Sequence, residues 1–243
     1  MFIVIIQARM GSTRLPGKVL KKILNKEIIL WSYERCLKSN ADKVFIATST
    51  NIENNLLEDI FIKNNISYFR GSENDLLDRY YQLCKNNSFD NDNTNIIRIT
   101  SDCPFIDTNM INDMINYFKI NDYDYIINHN KEYITPEGSG IEIIKFNSLK
   151  YLWENEKDAS FREHATGMLS LSEKYNNIIK KGTYNYKPYN INIEKMKYIK
   201  ISVDTEEDYF NSIKIAKYFN NYNFSYDEIL LYLQNNITSN LNS

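Results

Sequence analysis

Phe2-Ile3-Val4-Ile5-Ile6-Gln7-Ala8-Arg9-Met10-Gly11-Ser12-Thr13-Arg14-Leu15-Pro16-Gly17-Lys18 is the stretch on which the fold turns. It opens on an unbroken apolar run rich in β-branched residues, which predicts a strand covered on both faces, as in a parallel sheet. The loop that follows carries Arg9, Arg14 and Lys18, and it holds two of the chain's seven glycines. Glycines let backbone N–H groups come close to phosphate oxygens. The three cations suit a triphosphate. Open α/β sheets bind ligands at the carboxyl ends of their strands, which is where this loop lies. A basic surface turn is the plainer reading, but it leaves the clustering of cations, glycines and a proline at a strand end unexplained. A P-loop fails on spacing: one residue too many separates Gly11 from Gly17-Lys18, and Val19 stands where a Ser or Thr is needed. No G-x-G-x-x-G fingerprint occurs.

Working outward, strands are expected at Phe2–Gln7, Lys43–Thr48 and Asn95–Thr100, with a short one at Ser67–Phe69 and another at Tyr123–Asn128. Helical stretches fall between them near Glu27–Lys38, Glu53–Asn64 and Asn74–Lys85, and Asp107 reads as the N-cap of a helix to about Lys119. This alternation predicts a largely parallel sheet with helices on both faces. From about His129 to Tyr189 the rhythm breaks. Gly138 and Gly140 mark a turn before a strand at Ile141–Ile144, and helices are expected near Asn147–Glu154 and Phe161–Glu173. This excursion is expected to carry an acceptor pocket and a dimer contact. A strand at Tyr198–Val203 and a helix at Glu206–Phe219 then follow, and Ile237–Ser243 reads as a frayed end. Without internal repeat or linker, residues 1–243 are expected to form a single domain.

The bulk numbers set limits. A net charge of -2 with interspersed signs lacks the basic face a nucleic-acid binder needs. No apolar run is long enough to cross a bilayer, and no basic region precedes Phe2, so no secretory signal is expected. The cysteines, Cys36, Cys84 and Cys103, are scattered and without a C-x-x-C pair, which disfavours disulfides and zinc and fits a cytoplasmic protein.

Two carboxylates stand at strand ends. Asp102 follows the strand Asn95–Thr100 just before Pro104, where a carboxylate can face the same crevice as the basic loop; capping is better served by Asp107. Phosphoryl chemistry needs a hard cation with oxygen ligands, and Asp102 fits that need. Asp204 ends the late strand, but with Glu207 it also has capping-box-like spacing. The residues alone leave cap and ligand equal. A glycosyltransferase of similar fold would hold its metal through Asp-x-Asp, and here Asp102 is followed by Cys103 and Pro104.

The loop resembles the N-terminal signature of CMP-KDO synthetases and spore-coat polysaccharide cytidylyltransferases. Further blocks match in order: Gly71-Ser72-Glu73-Asn74-Asp75-Leu76-Leu77-Asp78-Arg79-Tyr80-Tyr81, Arg98-Ile99-Thr100-Ser101-Asp102-Cys103-Pro104-Phe105-Ile106-Asp107, Arg162-Glu163-His164, and Ser202-Val203-Asp204-Thr205-Glu206-Glu207-Asp208. The resemblance implies a Rossmann-like nucleotidyltransferase fold and transfer of CMP from CTP to a sugar-derived acceptor, with pyrophosphate leaving, in surface-polysaccharide synthesis. It implies that Ala8, Arg9, Met10, Gly11, Ser12 and Lys18 wrap the nucleotide, joined by Ser72, Arg79 and Asp102, and that Arg9, Arg14, Lys18 and Asp102 act on the reacting phosphate. It assigns Mg2+ to Asp102 and Asp204, and a homodimer is expected. Acceptor contacts are expected from Glu142, Arg162, Glu163 and His164. The stretch Pro136–Glu142 departs from the family, which often has an acidic residue where Gly140 stands. Alternatives are a phosphorylated polyol or other small phosphate as acceptor, or a non-catalytic nucleotide-binding protein of the same fold.

Overall fold

A computed structural model describes residues 1–129, 135–187 and 199–240. Strand β1 (Phe2–Gln7) is an interior strand of the sheet, buried on both faces. Its Phe2, Val4 and Ile6 enter one core layer, and Ile3 and Ile5 enter the layer on the opposite face. That two-sided burial, about 1.5–3 kcal/mol for each large side chain, is why the run is apolar without alternation.

The strands β4 (Lys43–Ser49), β5 (Tyr68–Gly71) and β6 (Asn95–Thr100) join β1 in parallel register, so that Gln7 lies opposite both Ala47 and Thr100. The sheet continues through β7 (Tyr125–Ile127), β8 (Glu142–Lys145) and β9 (Lys181–Thr183) in the order β5-β4-β1-β6-β8-β7-β9. β8 alone runs antiparallel to its neighbours in this sheet. The fold is therefore a Rossmann-like, mostly parallel mixed sheet. A small hairpin, β2 (Lys22–Ile23) with β3 (Lys26–Glu27), lies outside it.

Helices cover both faces. α1 (Ile28–Leu37), α2 (Asn55–Lys63) and α4 (Thr108–Ile120) pack on the first layer with α7 (Glu206–Phe219) and α8 (Tyr226–Asn240). α3 (Leu76–Asn86), α5 (Phe146–Asn155) and α6 (Ala159–His164) pack on the second. Asp107 caps α4 as expected, accepting from Met110 N at 2.9 Å. Cys36, Cys84 and Cys103 are free and buried. No helix among the described residues is long and apolar enough to cross a membrane.

Three expectations change. The helix foreseen at Phe161–Glu173 stops at His164, because buried Ala165 adopts a left-handed φ of 50° as it turns into the second layer. A 3-10 turn at Gly167–Ser170 follows. The strand foreseen at Tyr198–Val203 begins outside the described residues. From Ile199 onward it is reduced to a bridge between Glu137 and Lys200, and its end turns to the Asp102 segment. Ile201 N donates to Glu137 O at 2.7 Å and Val203 N to Asp102 O at 2.8 Å. Helix α8 was not foreseen, although Ser225 and Glu228 bond each other's backbone N–H in a readable S-x-x-E signature.

Candidate active site

The carboxyl ends of β1 and β6, the start of α3 and the end of α6 surround an open cavity of about 410 Å³. Its floor is the basic loop. Ala8 N donates to Ala47 O at 3.0 Å, and Met10 N donates to Asn54 Oδ1 at 2.8 Å, a buried amide itself held by Ser49. Met10 O then accepts from Ser12 N and Gly17 N, closing the loop on itself. Gly17 takes a left-handed φ of 66°, which directs the chain into a 3-10 turn at Lys18–Leu20. Val19, wrong for a P-loop, is a core residue and pins the far side of the loop.

This geometry carries Lys18 between two carboxylates. Its Nζ lies 2.8 Å from Asp102 Oδ2 and 2.9 Å from Asp204 Oδ1. Burial alone would lower the Lys18 pKa, but the two carboxylates raise it above the ordinary lysine value. Arg14 reaches Asp204 Oδ1 at 2.9 Å and Lys200 reaches Oδ2 at 3.1 Å. Burial pushes Asp204 up, yet Lys18 and Lys200 bring it down to about 2. The bond from Val203 N to Asp102 O joins the two segments and makes the carboxylates neighbours.

Helix capping does not occupy Asp204. The N-cap of α7 is Thr205, in a capping box with Asp208, one residue beyond the Asp204–Glu207 pair that the sequence suggested. The Asp204 carboxylate is thereby left to the cavity. Two carboxylates are hard oxygen ligands, and no third acidic, His or Cys group joins them among the described residues. That donor set fits a divalent cation of the magnesium type, which is commonly held by one or two carboxylates and completes its shell with substrate phosphates and water.

The opposite end is looser. Arg9 reaches Glu73 at 3.4 Å and Glu163 at 3.9 Å, and His164 lies beside them on the cavity wall. The second oxygen of Glu73 is buried without a hydrogen-bond partner. Arg79 also lines the cavity; its Nε and Nη2 donate to the Ser72 and Glu73 carbonyls at 2.8 and 3.0 Å, fixing this wall. Ser72 stands behind it, its hydroxyl accepting from Asp75 N.

The expected residues therefore do not all meet. Ala8, Arg9, Gly11, Ser12, Arg14, Lys18, Arg79, Asp102, Glu163, His164 and Asp204 line the cavity, whereas Met10, Ser72, Glu142 and Arg162 do not. Arg162 is used internally: it donates to Asp75 Oδ2 at 2.7 Å and to the Trp153 and Glu156 carbonyls at 3.0 and 2.9 Å. Glu142 is buried, paired with Arg98, and accepts from Tyr125 OH at 3.1 Å. Arg98 in turn donates to Gln7 Oε1 at 3.0 Å. Sequence reasoning missed the cavity-lining Gln7, Glu73, Thr100 and Ser101. Strand alternation gave a signal for Gln7, since it shares the face of Ile3 and Ile5.

A family model described as cytidylyltransferase matches residues 3–237. An uncharacterized protein of Methanocaldococcus jannaschii is 32% identical over 96% of this chain and 90% of its own length. A spore coat polysaccharide biosynthesis protein of Bacillus subtilis is 34% identical over 67% of each chain. Among solved structures, a cytidylyltransferase from Leptospira borgpetersenii serovar Hardjo-bovis aligns with a TM-score of 0.86 at 29% identity, covering 98% of this chain and 95% of that one. A CMP:2-keto-3-deoxy-manno-octonic acid synthetase solved with CTP shares the fold at a TM-score of 0.63 and 16% identity, over 89% and 98% of the chains. A Mycobacterium tuberculosis protein solved with manganese shares it at 0.57 and 10% identity, over 88% and 97%. A basic loop after β1 with paired carboxylates beside it on a mostly parallel sheet, and the match to the family model along nearly the whole chain, show that this protein is a nucleotidyltransferase belonging to the cytidylyltransferase family.

Proposed function

We propose that the protein transfers CMP from CTP to a small sugar-derived acceptor, releasing pyrophosphate, in the synthesis of a surface polysaccharide or other glycan. The observation that carries this reading is the convergence of Lys18 and Arg14 with Asp102 and Asp204 on one side of the cavity. In this reading the loop N–H groups, Arg9, Arg14 and Lys18 hold the triphosphate, and the cations stabilise charge as it moves onto the leaving pyrophosphate. Asp102 and Asp204 would hold a magnesium ion, which when bound supplies charge neutralisation at the phosphate oxygens. Much of the remaining catalysis comes from holding the acceptor oxygen in line with the α-phosphate.

The acceptor belongs at the Arg9–Glu73–Glu163–His164 end. Glu163 and His164 are its cavity contacts, Arg162 positions the helix that carries them, and Glu142 acts at a distance through Arg98 and Gln7. A sugar acid attacking through a hydroxyl fits this mixed-charge wall. Pyrophosphate release measured with each of the four nucleoside triphosphates, magnesium, and a panel of 3-deoxy and nonulosonic sugar acids and phosphorylated polyols tests the reading. CTP with a sugar acid is the expected productive pair. Thermal shift with magnesium should likewise be largest for CTP; equal shifts for all four nucleotides overturn the cytidylyl assignment.

A further inference from the structure

The Lys18 ammonium group is the one cation among the described residues that touches both Asp102 and Asp204, at 2.8 and 2.9 Å. A divalent ion drawn to those two carboxylates meets a positive charge already seated between them. We propose that Lys18 is an exchangeable counter-ion, which keeps the carboxylate pair closed to a free divalent cation and opens it when a triphosphate takes up the ammonium group. Cation and nucleotide then enter together. This rests on the reading of the loop as the triphosphate site and of Asp102 and Asp204 as cation ligands.

The distribution of charge supports an exchange. Lys18 and Arg14 both come from the phosphate loop, so one polyanion in that loop competes with Asp204 for both. Lys200 lies outside the loop and has partners of its own, Glu137 at 3.2 Å and Asp208 at 3.0 Å, so it stays in place. The Lys18 side chain is suited to move: its ammonium ends a flexible four-carbon stem, and the turn that carries it is held by backbone bonds, Lys18 N to Leu15 O and Lys21 N to Lys18 O. The stem remains anchored while the head changes partner. Arg14, with a side chain 62% exposed, is freer still.

The test uses Mn2+ alone as probe, with nucleotide-free protein and the free Mn2+ signal read by electron paramagnetic resonance. Wild type should bind Mn2+ weakly. Lys18→Met and Lys18→Gln should each bind it at least tenfold more tightly, and their melting temperatures should rise at Mn2+ concentrations that leave wild type unmoved. Adding Asp102→Asn to Lys18→Met should abolish the gain. Folded Lys18 variants that bind Mn2+ no better than wild type overturn the counter-ion role. In that case, loss of Mn2+–CTP binding in the single Asp102→Asn variant still upholds the cation site. A gain that survives both Asp102→Asn and Asp204→Asn overturns the cation-site reading and this inference with it.

Discussion

The two ends of the cavity are built differently. At one end Lys18, Arg14 and Lys200 meet Asp102 and Asp204 at 2.8 to 3.1 Å. At the other, Arg9 reaches its acidic partners only at 3.4 and 3.9 Å. Pre-set charge is useful where charge moves during the reaction, because it needs no rearrangement at that moment. A loosely paired wall is useful where the partner must be admitted and released. Each end is backed by structural contacts outside the cavity: the close approach of Gly138 to Ser202 behind Asp204, and Arg162 with Glu156 behind Glu163 and His164.

The hardest test of this contrast is Asp102→Asn. It should lower pyrophosphate release about 100- to 1,000-fold, with little change in melting temperature. His164→Ala should instead raise the acceptor KM several-fold and spare CTP; equal losses in the two variants would erase the distinction between the ends. Next comes Gly138→Ala. Gly138 has a φ of +102°, and a Cβ there would sit 2.3 Å from Ser202 N. The segment bearing Asp204 must shift, and urea unfolding should show about 2–4 kcal/mol of lost stability. Arg162→Met should cost about 2 kcal/mol, since it strands the Asp75 carboxylate and two carbonyls, while CTP binding by the folded molecules is kept. A large fall in turnover at unchanged stability would return Arg162 to acceptor binding.

Glu156 sharpens the same point through pH. Burial pushes its carboxyl up, but Lys174, Tyr175 and the N–H groups of Lys157 and Asp158 hold it below the ordinary glutamate value. A depressed carboxyl stabilises above its unfolded pKa, and that stability is lost as pH falls through the folded value. Wild type should therefore lose more stability than Glu156→Gln between neutral pH and about pH 3, in denaturant melts at each pH. The smallest effect belongs to Gly140→Asp. A Cβ at Gly140 meets nothing within 4 Å, so unfolding should move by less than about 0.5 kcal/mol. Any change in acceptor preference then reports the charge alone.

What was legible in the sequence followed from contiguity. The loop from Gln7 to Lys18 and the carboxylates after β6 and before α7 are each set by a few neighbouring residues and a strand end. Boundaries of β1, β6 and α7 were readable for the same reason: apolar runs and capping residues act locally. Arg162 and Glu142 were not readable as internal ties, because their partners, Asp75 and Arg98, lie 87 and 44 residues away. The choice of cap between Asp204 and Thr205 hinged on a one-residue offset that spacing alone does not resolve. The break at Ala165 came from tertiary packing, which overrode a helical pattern.

The buried thiols give the molecule its own reporters of opening. Burial pushes the Cys84 thiol up to about 12, and it also raises Cys36 and Cys103, so none is a reactive thiolate at neutral pH. Cys36 lies on a helix over the first core layer, Cys84 on a helix over the second, and Cys103 is buried beside Asp102, outside the cavity lining. Each becomes available to an alkylating reagent only when its own surroundings open: the first layer for Cys36, the second for Cys84, and the Asp102 turn for Cys103. Mass spectrometry of the three alkylation rates, measured with and without nucleotide, would therefore resolve which layer opens first, without any engineered label.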